Sequence, residues 1–124
     1  ANYVGAAQLM QALTLAHLTD VFGDIPSTEA ALGASNLRPK YDTQQQVYQQ
    51  IQSLLDSALI NLANTSPLTL GADDQFYRGN LQRWRRAASA LKARYALRLT
   101  KINGASAAAN ALTALRANPM TAND

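Results

Sequence analysis

The fold of this chain is decided by residues 80–102, NLQRWRRAASALKARYALRLTKI. The apolar residues of this stretch recur every three or four positions, and at about 100° per residue that spacing lines one side of an α-helix. They are Leu81, Trp84, Ala88, Leu91, Tyr95, Leu99 and Ile102. No proline interrupts the run, and Asn103-Gly104 is a pair that commonly closes a helix. The sequence therefore predicts a long amphipathic helix here.

A second helix is predicted over 43–63, with Asp42 as its N-cap and Gln45 at the third helical position. Its apolar stripe contains Val47, Ile51, Leu54, Leu55, Ala58, Leu59 and Leu62. Glutamines 44–46, Gln49, Gln52 and Asp56 are expected to face water. The periodicity is clear enough to fix which side of this helix is buried.

Helices are also predicted at the two ends of the chain. The first is predicted over 2–19, with Asn2 as a candidate cap. One of its faces contains Ala6, Leu9, Met10, Leu13, Ala16 and His17. Leu15 and Leu18 extend this apolar surface, so the helix is expected to be packed on most sides. The last, over 106–118, presents Ala108, Ala111, Leu112 and Leu115 on one face. Pro119 prevents its continuation.

Four helices without a convincing strand predict an all-α fold of antiparallel helix pairs, a tetratricopeptide-like helical repeat with long loops. The full 34-residue tetratricopeptide signature is absent: Trp84 and Leu91 fit it, but the later positions do not. The two long connections, 20–42 and 65–79, are rich in Gly and Pro. The whole length, 1–124, is predicted to be one all-helical segment.

Composition excludes several kinds of chemistry. There is no cysteine, hence no disulfide, thiolate chemistry or lipid-carrying cysteine within this chain. No run of 18 consecutive apolar residues occurs, so no segment is expected to span a membrane. The first residues show no basic region or cleavage site of a signal peptide. A chain that starts directly with a buried-looking helix is expected to be a fragment of a larger protein.

The helix predicted over 80–102 is basic, which raises the possibility of nucleic-acid binding. Its cationic residues include Arg83, Arg86, Lys92, Arg94, Arg98 and Lys101. They spread around the non-core sides of the helix and do not form one stripe, which favours a solvated or partner-facing helix. The prediction is that this chain binds no nucleic acid.

Metal binding and catalysis are also weakly supported. His17 with Asp20 and Asp24 is a conceivable metal set, but a histidine at a helix end is explained by the helix dipole. Asp73-Asp74 lacks the regular spacing of a calcium loop and is better interpreted as a turn. No GxSxG, HExxH, P-loop or GxGxxG pattern occurs. We predict neither enzyme activity nor a metal or cofactor.

One loop carries the only candidate ligand contacts. Phe76 and Tyr77 follow Asp73-Asp74 directly. Aromatic rings beside carboxylates suit stacking on a sugar together with hydrogen bonding to its hydroxyls. The alternative, that these rings anchor the loop to the helices, remains open at this point.

Three segments in series resemble the SusD/RagB family of nutrient-binding outer-membrane lipoproteins. LTDVFGDIPSTEA at 18–30 is similar to the family's TD-x-[YF]-GD-[IV]-P segment, and RPKYDTQQQVYQQIQSLLDSA at 38–58 to its P-K-Y-D-T-Q helix. DDQFYRGNLQRWRRAASALKARYALRL at 73–99 resembles the stretch that leads into its KW-x-KFANSL helix. Ser27, Asn80 and the 87–90 stretch depart from the family pattern.

The resemblance implies a surface-exposed lipoprotein of the outer membrane that captures oligosaccharides or other nutrients without making or breaking a covalent bond. Such a protein delivers its ligand to a TonB-dependent, SusC-like transporter. It also implies that this chain is the central, tetratricopeptide-like part of a longer protein, acting mainly as scaffold, with the lipid anchor outside it. The alternative is a generic helical-repeat module that binds a protein or peptide in its groove.

Overall fold

Four α-helices follow one another in a computed structural model that describes residues 1–121. They are α1, Asn2–Phe22; α2, Gln44–Ala63; α3, Leu81–Arg98; and α4, Thr100–Ala117. A 3-10 turn, Gly33–Ser35, lies in the connection between α1 and α2. Over this part of the chain no strand forms, and a single antiparallel bridge joins Ile25 to Asp42. The predicted all-α class is confirmed.

Each helix packs on the next one in the chain. α1 lies along α2, α2 packs on α3, and α3 packs on α4, with only a small direct contact between α1 and α3. The two helix pairs therefore stack in series, as predicted for a tetratricopeptide-like arrangement. Of the helices in residues 1–121, none is long and apolar enough to cross a membrane.

The core lies where α2 is held between α1 and α3. From α2 it contains Val47, Ile51, Leu55, Ala58 and Leu62, all at most 1% exposed. Trp84 is 4% exposed, and the rings of Tyr48 and Tyr95 meet edge to face at 6.5 Å. The expectation that Trp84 and Tyr95 lie on the buried side of their helix is confirmed, and Tyr48, 5% exposed, joins them in the core.

α1 and α2 approach closely because α1 carries a glycine at the contact. A Cβ at Gly5 would lie 2.7 Å from Cγ of Leu62 and 3.0 Å from the carbonyl oxygen of Ala58. One turn earlier, the Asn2 side chain is 1% exposed, and its amide nitrogen can donate to the carbonyl oxygens of Asn61 and Asn64. Small and neutral groups thus set the spacing of this pair.

The buried face predicted for α1 is wrong at three positions. Met10, Leu13 and His17 are exposed, whereas the buried side continues from Leu9 through Ala12 to Leu15. Asn2 is not the cap, because Ala1 occupies that position and Asn2 lies inside the first turn. A helix that is apolar on most sides carries little information about which side meets its neighbour.

The N-cap predicted for α2 is also wrong, by one residue. Thr43 is the N-cap, and its hydroxyl accepts from the backbone N–H of Gln46 while the Gln46 side chain accepts from the Thr43 N–H. This is a complete capping box. Asp42 is unavailable as a cap because its carboxylate binds the backbone of residues 27 and 28.

The third helix ends earlier than predicted, and the fourth begins earlier. α3 stops at Arg98, Leu99 joins the two helices, and α4 starts at Thr100. Gly104, with φ of 37° and ψ of −113°, kinks α4 in its first turns instead of closing α3. Ile102 consequently leaves the α3 stripe and is 77% exposed.

The face that α4 turns to α3 is predicted correctly at Ala111 and wrongly at the other three positions. Ala107 and Ala111 are buried, and Ala111 and Ala114 pack against Ala93 and Ala96 of α3. Leu112 and Leu115 are 48% and 38% exposed, and Ala108 is exposed as well. The contact is alanine on alanine, which allows the two backbones to approach more closely than leucine would permit.

Candidate functional site

The predicted ligand contacts lie in the connection between α2 and α3. Phe76 is 68% exposed, whereas Tyr77 is partly buried. Both rings meet the Trp84 indole edge to face, with centroids 5.8 Å away for Phe76 and 5.1 Å for Tyr77. The three rings form a cluster in which Trp84 is the buried base and Phe76 the member that faces solvent.

Asp74 organises this loop. One of its carboxylate oxygens accepts from the backbone N–H groups of Phe76 and Tyr77, at 3.0 and 3.2 Å. The other accepts from the N–H of Gly79 at 3.0 Å and from the Trp84 indole N–H at 2.7 Å. One carboxylate that is 6% exposed therefore fixes the turn and joins it to α3.

The electrostatics of Asp74 follow from these bonds. Burial raises the pKa of a carboxyl group, but here the hydrogen bonds from the Trp84 indole and from three backbone N–H groups outweigh it. The pKa of Asp74 consequently lies below its ordinary value. Asp74 is a structural anion with its acceptors in use, in line with the interpretation of Asp73-Asp74 as a turn.

The start of the loop is tied to α1. The Tyr3 hydroxyl donates to Asp73 at 2.5 Å, and the Gly71 N–H donates to the other oxygen at 3.1 Å. The hydrogen bond from Tyr3 lowers the pKa of Asp73, and the same bond raises the pKa of Tyr3. At the other end, Gly79 has φ of 79°, and a Cβ there would lie 2.5 Å from the Leu70 carbonyl oxygen. Only glycine fits this position.

The two predicted site residues therefore differ in their surroundings. Tyr77 packs between the loop and the core, as the loop-anchoring alternative expects, while Phe76 leaves most of its ring open. Sequence reasoning missed the hydrogen bond between Asp74 and Trp84. The two residues are ten positions apart, one in a loop and the other in a helix, so no single periodicity relates them. A ligand-binding role for either ring stays a prediction.

The conceivable metal set does not come together. His17 is exposed, and α1 continues to Phe22, so His17 lies more than one turn before the helix end and the dipole explanation does not apply to it. Asp24 accepts from the Gln44 N–H at 2.8 Å, at the start of α2. In residues 1–121, no three His, Cys, Asp or Glu side chains are grouped to hold a metal ion.

Asp20 instead joins three helices. Its carboxylate accepts from the Tyr48 hydroxyl of α2 at 2.5 Å and pairs with the Arg98 guanidinium of α3. Burial and the neighbouring Asp20 carboxylate raise the pKa of Tyr48 to about 12. This connection was not predicted, because its members are far apart in the sequence.

The quoted 18–30 segment is fixed by Asp42. Its carboxylate accepts from the backbone N–H groups of Ser27 and Thr28, at 3.1 and 2.6 Å, and from the Thr28 hydroxyl at 2.9 Å. The N–H of Thr28 is the main cause of a pKa for Asp42 below its ordinary value. Asp20, Asp24 and Asp42, which lie in the 18–30 and 38–58 segments, thus hold helices and loops in place.

A groove of about 470 Å³ runs along α2, α3 and α4. The Lys92–Asp56 ion pair lies on its wall, and the Gln52 amide donates to the Lys92 carbonyl at 3.3 Å. The remaining lining is mostly alanine, amide and hydroxyl groups, among them Ala96, Asn103, Asn110 and Thr113. It has the size of a small-molecule site but offers no exposed aromatic platform.

Comparisons with known proteins agree on one family. The family model described as SusD-like, starch-binding and associating with the outer membrane, matches residues 1–124. The chain is 35% identical to a SusD/RagB family protein from Bacteroides thetaiotaomicron, with a TM-score of 0.83, covering 96% of this chain and 25% of the other. Among curated proteins, none matches.

Two further solved structures are similar over most of the chain. A SusD homolog from Bacteroides uniformis is 30% identical with a TM-score of 0.77, covering 90% of this chain and 23% of that protein. A chitin-binding SusD homolog from Flavobacterium johnsoniae is 27% identical with a TM-score of 0.77, covering 90% and 24%. The chain spans about a quarter of the length of each of these solved structures.

Proposed function

This chain belongs to the SusD-like family, and from that premise we propose that it serves in non-enzymatic binding of a glycan or another nutrient at the outer membrane. The observation that carries the proposal is the family match over residues 1–124. A solved relative that is named as chitin-binding adds support for a saccharide ligand. Binding would rest on ring stacking and hydrogen bonds, with no bond made or broken.

Within that function the chain acts mainly as a helical scaffold, as one segment of a longer SusD-like protein. Support comes from the use of its carboxylates. Asp20, Asp24, Asp42 and Asp74 each accept hydrogen bonds from this chain's own donors. Such groups hold helices and loops in position and leave few acceptors for a substrate.

Phe76 is the residue we assign to the ligand. Its ring is largely open to solvent, and it stands on a turn fixed by Asp74 and on the buried Trp84. An aromatic residue whose backbone is already ordered loses little conformational freedom when a sugar stacks on it. Tyr77 is the weaker candidate, because its ring is partly used in packing against Trp84.

The partner we propose is a TonB-dependent, SusC-like transporter, with the protein held at the cell surface by a lipid anchor outside this chain. The family description of association with the outer membrane supports this location. A helical scaffold suits the task of presenting a binding loop above a transporter.

The test of ligand binding is calorimetric titration of the longer protein with starch-derived and chitin-derived oligosaccharides. We expect Phe76→Ala to weaken binding at least about tenfold, because a stacked aromatic contributes roughly 1.5 kcal/mol or more. Leu68→Ala is the matched control, since Leu68 is 70% exposed in the same connection but outside the ring cluster. Equal affinity of the wild type and Phe76→Ala would remove Phe76 from the site.

The transporter proposal is tested separately, by co-purification from outer membranes. An affinity tag on the longer protein should retain a large β-barrel transporter encoded nearby. Recovery of the tagged protein without any such transporter, in a detergent that keeps other membrane complexes intact, would contradict the proposed partner.

The α2–α3–α4 groove favours a second candidate function, a helical-repeat module that binds a peptide. Asn and Gln side chains both donate and accept, as an extended peptide backbone requires. Gln52, Asn103 and Asn110 line this groove. A peptide-display selection that returns sequences whose binding is lost in Asn110→Leu, without any oligosaccharide binding, would support this candidate over the first.

A further inference from the structure

Arg78 has an unusual backbone conformation in the turn that carries Phe76. Its φ of 51° lies in the left-handed region, and within residues 1–121 Ala31 is the only other non-glycine residue found there. The Arg78 N–H donates to the carbonyl oxygen of Asp74 at 3.0 Å, which holds the residue in this conformation. An arginine is strained in this region, whereas glycine or asparagine adopts it more readily. Strain of this kind concentrates at binding sites, where the surrounding structure maintains it.

The side chain of Arg78 is exposed and has no acidic partner. Within residues 1–121 it takes part in none of the ion pairs. The two neighbouring carboxylates accept from other groups of the chain. Asp74 accepts from three backbone N–H groups and an indole N–H, and Asp73 accepts from the Tyr3 hydroxyl and a backbone N–H. In the described part of the chain, the Arg78 guanidinium therefore has its donors available.

Arg78 also stands beside the ring that we assign to the ligand. Together with Gln75 and Ala72 it lines an open cavity of about 600 Å³, whose wall includes Asp74. Phe76 is two residues away along the chain, so the Cα atoms of the two residues are at most about 7.6 Å apart. Two neighbouring rings of one oligosaccharide can reach both side chains. One turn thus presents an exposed aromatic ring, an amide and a guanidinium.

The chemistry of a guanidinium favours an anionic partner. It has five N–H donors and no acceptor, so it matches the oxygens of a carboxylate or a sulfate better than a sugar hydroxyl, which both donates and accepts. The chain around it adds to this preference, because residues 75–123 contain nine Lys and Arg and no Asp or Glu. Asp73 and Asp74 are negatively charged, but the donors bound to their oxygens reduce their repulsion of an anion.

We propose that the ligand of this turn is an acidic saccharide, whose carboxylate or sulfate group binds the Arg78 guanidinium while a sugar ring stacks on Phe76. The inference rests on the proposed function, glycan binding at Phe76, and adds the chemical class of that glycan. Asp74 fixes the backbone on both sides of Arg78, so little backbone freedom is lost when the ligand binds. Arg78 is then the residue that distinguishes an acidic glycan from a neutral one.

The test is calorimetric titration of the longer protein with two matched pairs of oligosaccharides. Oligogalacturonate and its methyl ester differ in the charge of the carboxylate. A sulfated galactan oligosaccharide and its desulfated form differ in the sulfate. We expect the acidic member of at least one pair to bind at least about tenfold more tightly than its neutral partner. The pair that shows this difference identifies the anionic group as carboxylate or sulfate.

Arg78→Gln should weaken binding of that acidic member at least about tenfold and leave the neutral member unchanged. Arg116→Gln is the matched control, because it removes the same charge at an exposed position in the last turn of α4, and it should change neither affinity. Arg78→Gly separates binding from folding. Glycine adopts the left-handed φ without strain, so the urea midpoint should not fall, while the affinity for the acidic member falls as in Arg78→Gln.

Equal affinity for the acidic and neutral members of both pairs would overturn the inference. So would an affinity of Arg78→Gln for the acidic member equal to that of the wild type. Binding of starch-derived or chitin-derived oligosaccharides without binding of any of the four probes would overturn this inference and leave the proposed function standing. If no saccharide of either set bound, the proposed function would be lost as well.

Discussion

At the scale of single residues, Asp74 shows how one buried carboxylate shapes a loop. Its two oxygens accept from four donors, three backbone N–H groups and the Trp84 indole. Without these bonds four polar hydrogens would lie in or near the protein interior unpaired, and the turn that presents Phe76 would have no fixed shape. The candidate ligand contact therefore depends on a residue that does not itself face the ligand.

Asp74→Asn should lower the free energy of unfolding by about 2–4 kcal/mol, because an amide nitrogen replaces one accepting oxygen and leaves two donors unpaired. Urea unfolding monitored by Trp84 fluorescence measures the loss. Asp73→Asn is the control at the exposed neighbouring carboxylate and should cost less. A stability for Asp74→Asn within about 0.5 kcal/mol of the wild type would contradict the assigned hydrogen bonds.

The same residue predicts a dependence of stability on pH. The pKa of Asp74 in the folded chain lies below its ordinary value, which is about 3.9 for an unfolded aspartate. Its stabilisation is therefore present above about pH 4 and is lost as the pH falls through the folded pKa. Urea midpoints between pH 7 and pH 3 should fall less steeply for Asp74→Asn than for the wild type. Parallel curves would show that Asp74 does not titrate differently on folding.

At the scale of helices, the spacing of α1 and α2 depends on Gly5. A Cβ at this position would lie closer to Leu62 than real Cβ atoms pack, and it would also be tight against the Ala58 carbonyl oxygen. The low helix propensity of glycine is thus offset by an approach that other residues would prevent. The same principle is seen between α3 and α4, where alanines meet alanines.

Gly5→Val should destabilise the chain by about 1–3 kcal/mol, since extra methyl groups must push the two helices apart. Ala7→Val is the matched control at an exposed position of the same helix, and it should change stability by no more than about 0.5 kcal/mol. Thermal unfolding followed by circular dichroism compares the two. Equal effects would show that helix propensity, and not the close contact, explains the result.

At the scale of the whole molecule, Asp20, Tyr48 and Arg98 connect α1, α2 and α3 at one point. Tyr48 is 5% exposed, and its burial, together with the negative charge of Asp20 beside it, raises the pKa of its hydroxyl. We expect such a polar connection to add little net stability compared with the surrounding apolar core and to help to fix how the three helices are aligned.

This connection predicts a loss of stability at high pH. The pKa of Tyr48 is raised to about 12, so between about pH 10 and pH 12 the unfolded chain releases the tyrosine proton while the folded chain retains it. Unfolding is then increasingly favoured as the pH rises. Tyr48→Phe should lose less stability than the wild type over that range, as measured by urea midpoints. An equal loss in both would mean that Tyr48 does not contribute.

The sequence by itself determined the all-α class, the positions of α2 and α3, and the burial of Trp84 and Tyr95. These follow from local periodicity, because a clear apolar stripe has only one side that can be buried. The family was also recognisable from three short segments in their order along the chain.

Tertiary structure alone decided what local pattern leaves ambiguous. α1 is apolar around most of its circumference, and α4 carries alanine on several sides. Only the neighbouring helix therefore selects the buried face, and it selects Ala12 over Leu13 and Ala107 over Ala108. Competition between partners decided the α2 cap, where Asp42 is engaged by Thr28 and Thr43 takes its place. The Asp74–Trp84 and Asp20–Tyr48 bonds join residues that no spacing rule relates, because only folding brings them within hydrogen-bonding distance.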